Sequence, residues 1–279
     1  MALKLSFSKL GPIRLDKRVE ISIGKTLLYG PSGHGKSTII RALTRLIHPF
    51  DDVVYYLNQD IDKNYWRWLL ENSDATLHLS SSKIENSPRT ARIIGDTLYL
   101  YTRNRESSFI TINAIIPDNL RDILSEPEVA EKAEEFFAWL DVPITDFYHG
   151  YYREKGLDWL DVSNLPYGYR RALMMIYALE KSDYLFIEGF ESGLHIELMK
   201  KLLELFSKME GKVIVIETHD SGSLTLALKT GWTAYYVKRD EIIEFTNYDQ
   251  LREKADIFLK ELASVLFEQE VKSPEHHRA

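Results

Sequence analysis

The sequence contains no cysteine, which excludes disulfide cross-links and thiolate metal sites and suits an intracellular chain. No apolar run approaches the roughly 18 residues of a membrane span. The opening Met-Ala-Leu-Lys-Leu-Ser-Phe-Ser-Lys carries charge where a signal peptide would be apolar, so a cytoplasmic location without membrane contact is expected. Basic charge is not in excess either. The 35 Lys and Arg stand against 42 Asp and Glu, for a net −7, which argues against a uniformly basic nucleic-acid coat. Repeats, heptad runs and low-complexity linkers are missing, and with them a long coiled coil. What remains is ordinary globular composition, 44% hydrophobic and 28% charged over 279 residues, enough for one large core or two moderate ones.

One loop stands out. Gly30-Pro31-Ser32-Gly33-His34-Gly35-Lys36-Ser37-Thr38 is a full G-x-x-x-x-G-K-[ST] pattern between an apolar strand at 25–29 and a helical pattern at 36–47. Gly30, Gly33 and Gly35 let the backbone wrap a phosphate closely, so that the N–H groups of Ser32 to Lys36, His34 among them, and the helix N-terminus face the anion. Lys36 adds a cation. Ser37 is placed to put its hydroxyl on a magnesium ion, and Thr38 bonds locally in the first helical turn. The loop points to a nucleoside triphosphate.

Around it the chain alternates. Strands are expected at 3–7, 19–23 and 53–57, and a β-rich, antiparallel block at 76–79, 90–94, 97–101 and 109–116. Ser125-Glu126-Pro127-Glu128 reads as a capping-box start for a helix ending near Val142-Pro143. From 167 onward helices and strands alternate, with strands at 184–187, 213–216 and 233–237, then a hairpin strand at 242–245 and a C-terminal helix. This is the rhythm of a parallel sheet covered by helices. The expected organisation is 1–60 as the N-terminal part of a nucleotide-binding core, 61–160 as an inserted β-rich and helical lobe, 161–272 as the rest of the core, and 273–279 as a loose tail.

Two strand ends carry chemistry. Tyr184-Leu185-Phe186-Ile187 ends in Glu188, a Walker B position where a carboxylate holds magnesium. Val213-Ile214-Val215-Ile216 runs into Glu217-Thr218-His219-Asp220, placing His219 to touch a terminal phosphate. Leu165-Pro166-Tyr167-Gly168-Tyr169-Arg170-Arg171 opens the helix that leads into the Walker B strand; a simple turn and a solvated face would give the same run, but its order and spacing raise its weight as a motif.

In loop, order and spacing the chain resembles the ABC-type ATPases, in particular the soluble branch of SMC proteins, their DNA-repair relatives and small prokaryotic AAA-like ATPases. The resemblance covers roughly 1–50 and 160–240. It implies an α/β P-loop NTPase fold of ABC type, Mg-ATP as cofactor, ATP hydrolysis, and a homodimer in which Gly168 meets the partner's nucleotide. The family's Leu-Ser-x-Gly-x signature corresponds to Leu165-Pro166-Tyr167-Gly168-Tyr169, where Pro166 replaces the usual Ser. Gln59 matches the family's metal-contacting glutamine by distance from Lys36, which makes Ser37, Glu188 and Gln59 the implied metal set. Relatives read Asp-Glu where this chain has Glu188-Gly189, so the usual base is missing. Glu191, Glu217 and His219 stay open as substitutes, as does slow hydrolysis, and the residues nominated for catalysis are Glu188, His219 and Glu191. A non-hydrolysing ATP-gated module on DNA or protein and a small-molecule kinase are the rival readings. Lys83, Arg89, Arg92, Arg103 and Arg105 against Glu85 and Asp96 give 83–105 a net +3, the expected surface if DNA is a partner. The neighbouring aromatics, Tyr65, Trp66, Trp68, Phe147, Tyr148, Tyr151 and Tyr152, read as packing residues.

Overall fold

The computed structural model describes residues 2–47, 55–56, 63–80, 89–94, 97–101, 109–112, 121, 124–182 and 184–254. Its centre is made by short apolar runs. β12 (Tyr184–Ile187) and β13 (Val213–Thr218) are buried at every position, as suits parallel strands covered on both faces. They lie parallel to each other, and β3 (Lys25–Tyr29) lies parallel to β13 on its other side. β14 (Thr233–Val237) continues the sheet beyond β3, and β15 (Ile242–Phe245) closes that edge antiparallel. At the other edge β8 (Phe109–Ile112) pairs in parallel with β12, and β4 (Tyr55–Tyr56) with β8. The order is β15-β14-β3-β13-β12-β8-β4. β8 corrects the sequence reading, which puts 109–116 in the antiparallel block. An apolar Phe-Ile-Thr-Ile run suits either setting, and the neighbour that the fold offers decides.

The expected antiparallel block forms a second sheet. β1 (Ala2–Leu10) and β2 (Ile13–Ile23) pair as a hairpin, and β5 (Thr76–Ser80), β6 (Arg89–Ile94) and β7 (Thr97–Tyr101) extend it in the order β2-β1-β5-β6-β7. Alternation along β1 turns Leu3, Leu5 and Phe7 inward. They share one core with Ile39, Ile40 and Leu43 of α1 (Lys36–Ile47) and with Phe186, Val213 and Val215 of the central sheet. α2 (Lys63–Glu71) leads into β5.

The opposite face of the central sheet is covered by α3 (Pro127–Trp139), α4 (Tyr167–Lys181), α5 (Ile196–Lys208) and α6 (Ser221–Lys229), packed on Leu27, Ile187, Ile214 and Ile216. The expected capping box does not form. α3 starts one residue later, with Glu126 as N-cap and no side-chain cap bond, and the Ser125 hydroxyl donates to the Arg121 carbonyl instead. Pro127 accounts for the shift, because its fixed φ and missing N–H suit the first helical position. A small antiparallel sheet of β9 (Ile144–Tyr148), β10 (Tyr151–Glu154) and β11 (Trp159–Asp161) tucks Phe147 and Tyr152 into this core, while Tyr148 and Tyr151 face outward. The C-terminal helix is described over 248–254, and its continuation and the tail lie outside the described residues. No described helix is long and apolar enough to cross a membrane.

Candidate functional site

The parallel register puts three strand ends side by side. Ile187 of β12 faces Ile216 of β13, and Thr218 faces Tyr29 of β3. Glu188, the 217–219 segment and the phosphate loop therefore converge at the carboxyl edge of the sheet, where open α/β sheets bind ligands.

The loop is shaped by its glycines. Gly30 (φ 142°) and Gly35 (φ 104°) lie in the region that side chains rarely adopt, and a Cβ would come within 2.6 Å of the Val237 carbonyl and of the Ile13 side chain respectively. α1 starts at Lys36, so its N-terminus opens onto the loop. Lys36 is 2% exposed, and its Nζ donates to the carbonyls of Gly30 and Pro31, both at 2.8 Å. Burial pushes this ammonium below the usual lysine range, and the charges of Glu217 and Glu191 oppose the shift.

His219 leans over the loop. Its Nδ1 lies 2.8 Å from the Gly30 carbonyl and 3.4 Å from the Lys36 ammonium, and its Nε2 faces the Ser32 hydroxyl at 3.5 Å. Glu191 holds this segment in place. One of its oxygens accepts from the Thr218 hydroxyl at 2.8 Å and the other from the His219 N–H at 3.0 Å. Asp220 then caps α6 by accepting from the Ser223 N–H.

The two strand-end carboxylates differ. Glu188 is bridged by Arg41 of α1, whose Nε and Nη2 each reach one carboxylate oxygen at 3.0 Å. The guanidinium also lies 5.3 Å from the centre of the Tyr65 ring. Burial works against the Arg41 charge, but the bond to Glu188 outweighs it and holds the charged form. Glu217 is 6% exposed, with Ser37 nearby and Lys36 Nζ at 4.0 Å from Oε1. Its Oε2 is buried with no partner among the described residues. Burial raises the Glu217 carboxyl above the ordinary carboxylate range; Ser37 counteracts this, nearby Glu188 adds to it, and Lys36 and His219 oppose it.

Magnesium in phosphate-loop sites rests on one or two protein groups, phosphate oxygens and water. Among the described residues no cluster of three or more His, Asp or Glu is placed to hold a metal. Ser37 together with the unpartnered Glu217 oxygen fits the lighter requirement.

The remaining nominated residues fall as follows. Ser32, Gly33, His34 and Thr38 lie in the loop and the first turn of α1, and His34 Nδ1 is buried without a partner among the described residues. Gly168, at the start of α4, packs within its own chain: a Cβ would stand 2.8 Å from the Gly193 carbonyl. Gln59, Lys83, Arg103 and Arg105 lie outside the described residues, and Arg89 and Arg92 sit on β6.

Sequence reading missed three basic residues. Arg41 gives no local signal. Arg171, for which a solvated face is one of two readings, is fully buried, and its Nη2 donates to the carbonyls of Glu188 and Gly189 at 3.2 and 2.8 Å, fixing the turn after β12. Its place in one stripe with Met175 and Ala178 was the available clue. Arg239, in the turn after β14, donates to the Gly33 carbonyl at 3.2 Å.

Known proteins share this fold. Residues 44–225, well over half of the chain, match the protein family described as "AAA domain, putative AbiEii toxin, Type IV TA system". The SMC head domain from Thermotoga maritima superposes with a TM-score of 0.57 at 15% identity, covering 88% of this chain and 99% of that one. An SMC head bound to the C-winged helix domain of ScpA gives 0.60 at 11% identity, covering 90% and 99%. An SMC head with an extended coiled coil, bound to the C-terminal domain of ScpA derived from Pyrococcus furiosus, gives 0.58 at 10% identity, covering 94% and 99%. No curated protein sequence matches significantly. The chain belongs to this AAA-domain family, and its fold is that of an ABC-type P-loop ATPase head of the SMC-like group.

Proposed function

We propose that the chain binds Mg-ATP at the loop of residues 30–38 and hydrolyses it slowly as an ATP-dependent homodimer. The observation that carries this reading is the meeting of Lys36, Ser37, Glu188, Glu217 and His219 at one sheet edge, from segments far apart in sequence. The N–H groups of 32–36 cradle the phosphates, and Lys36 exchanges its two loop carbonyls for phosphate oxygens. Magnesium, when bound, neutralises phosphate charge beside Ser37 and a strand-end carboxylate, which the sequence nominates as Glu188 with Gln59 in support. His219, with Nδ1 against the Gly30 carbonyl, offers Nε2 toward the terminal phosphate. Residues 1–60 and 161–272 act as the two parts of the core, and 61–160 contributes β8 to its sheet.

Slow turnover follows from Gly189, which leaves no carboxylate after Glu188. Glu191 is a poor replacement base because both of its oxygens already hold the 218–219 segment. Gly189 also favours a second reading, an ATP-gated binding module that does not hydrolyse. The partner class, DNA through Lys83, Arg89, Arg92, Arg103 and Arg105 or a protein in a regulatory process, is part of the proposal. The toxin named in the family description supports the regulatory side. A cytoplasmic location completes it.

Light scattering with and without a non-hydrolysable ATP analogue tests the dimer. The mass should double with analogue. Asn164→Glu, at an exposed position just before Leu165-Pro166, should keep it single. A wild-type chain that stays monomeric at saturating analogue refutes the homodimer. Phosphate release measured alongside separates slow hydrolysis from none, and salt-dependent duplex binding tests DNA.

A further inference from the structure

The two strand ends differ in what their carboxylates are free to do. β12 and β13 run parallel with Ile187 opposite Ile216, so the next positions along are Glu188, just past the end of β12, and Glu217, still on β13 and paired with Leu28 of β3. Glu188 turns to α1, where each of its oxygens faces one N–H of Arg41 at 3.0 Å. Glu217 turns to the phosphate loop. It stands beside the Ser37 hydroxyl, with the Lys36 ammonium 4.0 Å away, and keeps one buried oxygen without a partner among the described residues.

A buried carboxylate oxygen with no donor is costly to a fold. Isosteric glutamine would remove the charge at this position, and a leucine would remove the polarity. A hard cation is the partner that would use this oxygen, because magnesium takes oxygen ligands directly or through its waters. In phosphate-loop ATPases the ion is shared by the loop hydroxyl and one carboxylate from a neighbouring strand end.

We propose that Glu217, rather than Glu188, is the carboxylate that works with Ser37 on magnesium, while Glu188 is a positioning residue that ties α1 to the end of β12 through Arg41. This rests on the reading of the loop as a Mg-ATP site. It moves the metal-side carboxylate from the Walker B strand to the strand that carries His219, so one segment, 217–219, holds both the metal-side acid and the phosphate-facing imidazole. Glu191, which grips Thr218 and the His219 N–H, then positions both.

The test is the gain in nucleotide affinity that magnesium provides. Calorimetry on the full chain compares a non-hydrolysable ATP analogue in magnesium and in EDTA for wild type, Glu217→Gln, Glu217→Asp and Glu188→Gln. The expected result is an about 10- to 100-fold loss of the magnesium-dependent gain in both Glu217 variants, on the scale seen when a group supporting a metal is removed. Metal-free affinity should be unchanged or tighter there, and the loss in Glu188→Gln should be smaller. A folded Glu217→Gln chain with its magnesium gain intact overturns the proposal. So does a larger loss in Glu188→Gln, or a Glu217→Gln chain that binds Mg-nucleotide normally and only stops hydrolysing. If the Glu217 variants fail to fold, a structure of the wild type with magnesium and the analogue decides. Glu217 on the metal or its waters supports the assignment, and Glu188 there overturns it. Wild type that binds no nucleotide in magnesium or in EDTA refutes the Mg-ATP reading itself, and the proposal falls with it.

Discussion

The carboxyl edge of the parallel sheet and the antiparallel sheet built on β1 treat charge in opposite ways. At the first, Lys36, Arg171 and Glu217 are 2%, 0% and 6% exposed. In the second, charged groups stay near water: the Lys4–Glu20 pair is 50% exposed on each side, and Arg18 and Asp74 are 44% and 35% exposed. Buried ion pairs are weak contributors to stability, since desolvation offsets most of the attraction. Concentrating buried charge at one edge therefore marks that edge as built for a ligand, whereas the antiparallel sheet is organised for folding. The two regions should respond differently to mutation.

The largest expected effect is at Lys36. Lys36→Ala should weaken Mg-ATP binding by more than about 100-fold, equivalent to ~2.7 kcal/mol or more. The melting temperature should hold or rise, because a desolvated ammonium is removed. Calorimetry and thermal unfolding on one sample check both, and near-wild-type affinity in a folded variant breaks the comparison.

Gly189 comes next. Turnover should lie roughly 100- to 10,000-fold below that of an enzyme with a placed general base. Gly189 sits at φ 58°, and a Cβ there would stand 3.0 Å from the Ser192 hydroxyl oxygen. Gly189→Glu should therefore cost about 1–2 kcal/mol of stability while raising phosphate release. Lost stability with no kinetic gain would show that the glycine serves the turn alone.

In the antiparallel sheet the sign reverses. Asp74 accepts from the Ser8 and Lys9 N–H groups, both at 2.9 Å, and from the Ser8 hydroxyl, and Arg18 stands 3.3 Å away. Burial by itself would raise this carboxyl, but those hydrogen bonds and the Arg18 charge outweigh it and hold it below its ordinary range. A folded-state pKa below the unfolded one means that its contribution is present at neutral pH and is lost as pH falls below about 4. Asp74→Ala should cost about 1–3 kcal/mol in denaturant unfolding at pH 7, less at acid pH, with nucleotide affinity unchanged. An affinity change would join the two regions.

The smallest effect is expected at the rim. Lys4→Ala removes one exposed ion pair and should change stability by less than about 1 kcal/mol. A larger loss would mean that surface charge carries more of this sheet than its exposure suggests.

Local pattern was enough for much of this protein. The phosphate loop, its flanking strand and helix, and the buried runs ending at Glu188 and Glu217 are legible because glycine spacing and continuous apolarity act over a few residues. Even the placement of His219 at a strand end follows from that pattern. What the pattern could not contain is who stands next to whom. β8 reads like its neighbours in sequence yet pairs with β12, and β5 crosses α1 and α2 to join β1. Arg41 and Glu188 meet across 147 positions, and Lys36 lies 4.0 Å from Glu217 on a strand far from it in sequence. Periodicity tells a residue whether it faces the core. Only the closed sheet, with its register and its buried charges matched in space, decides which partner each charge finds.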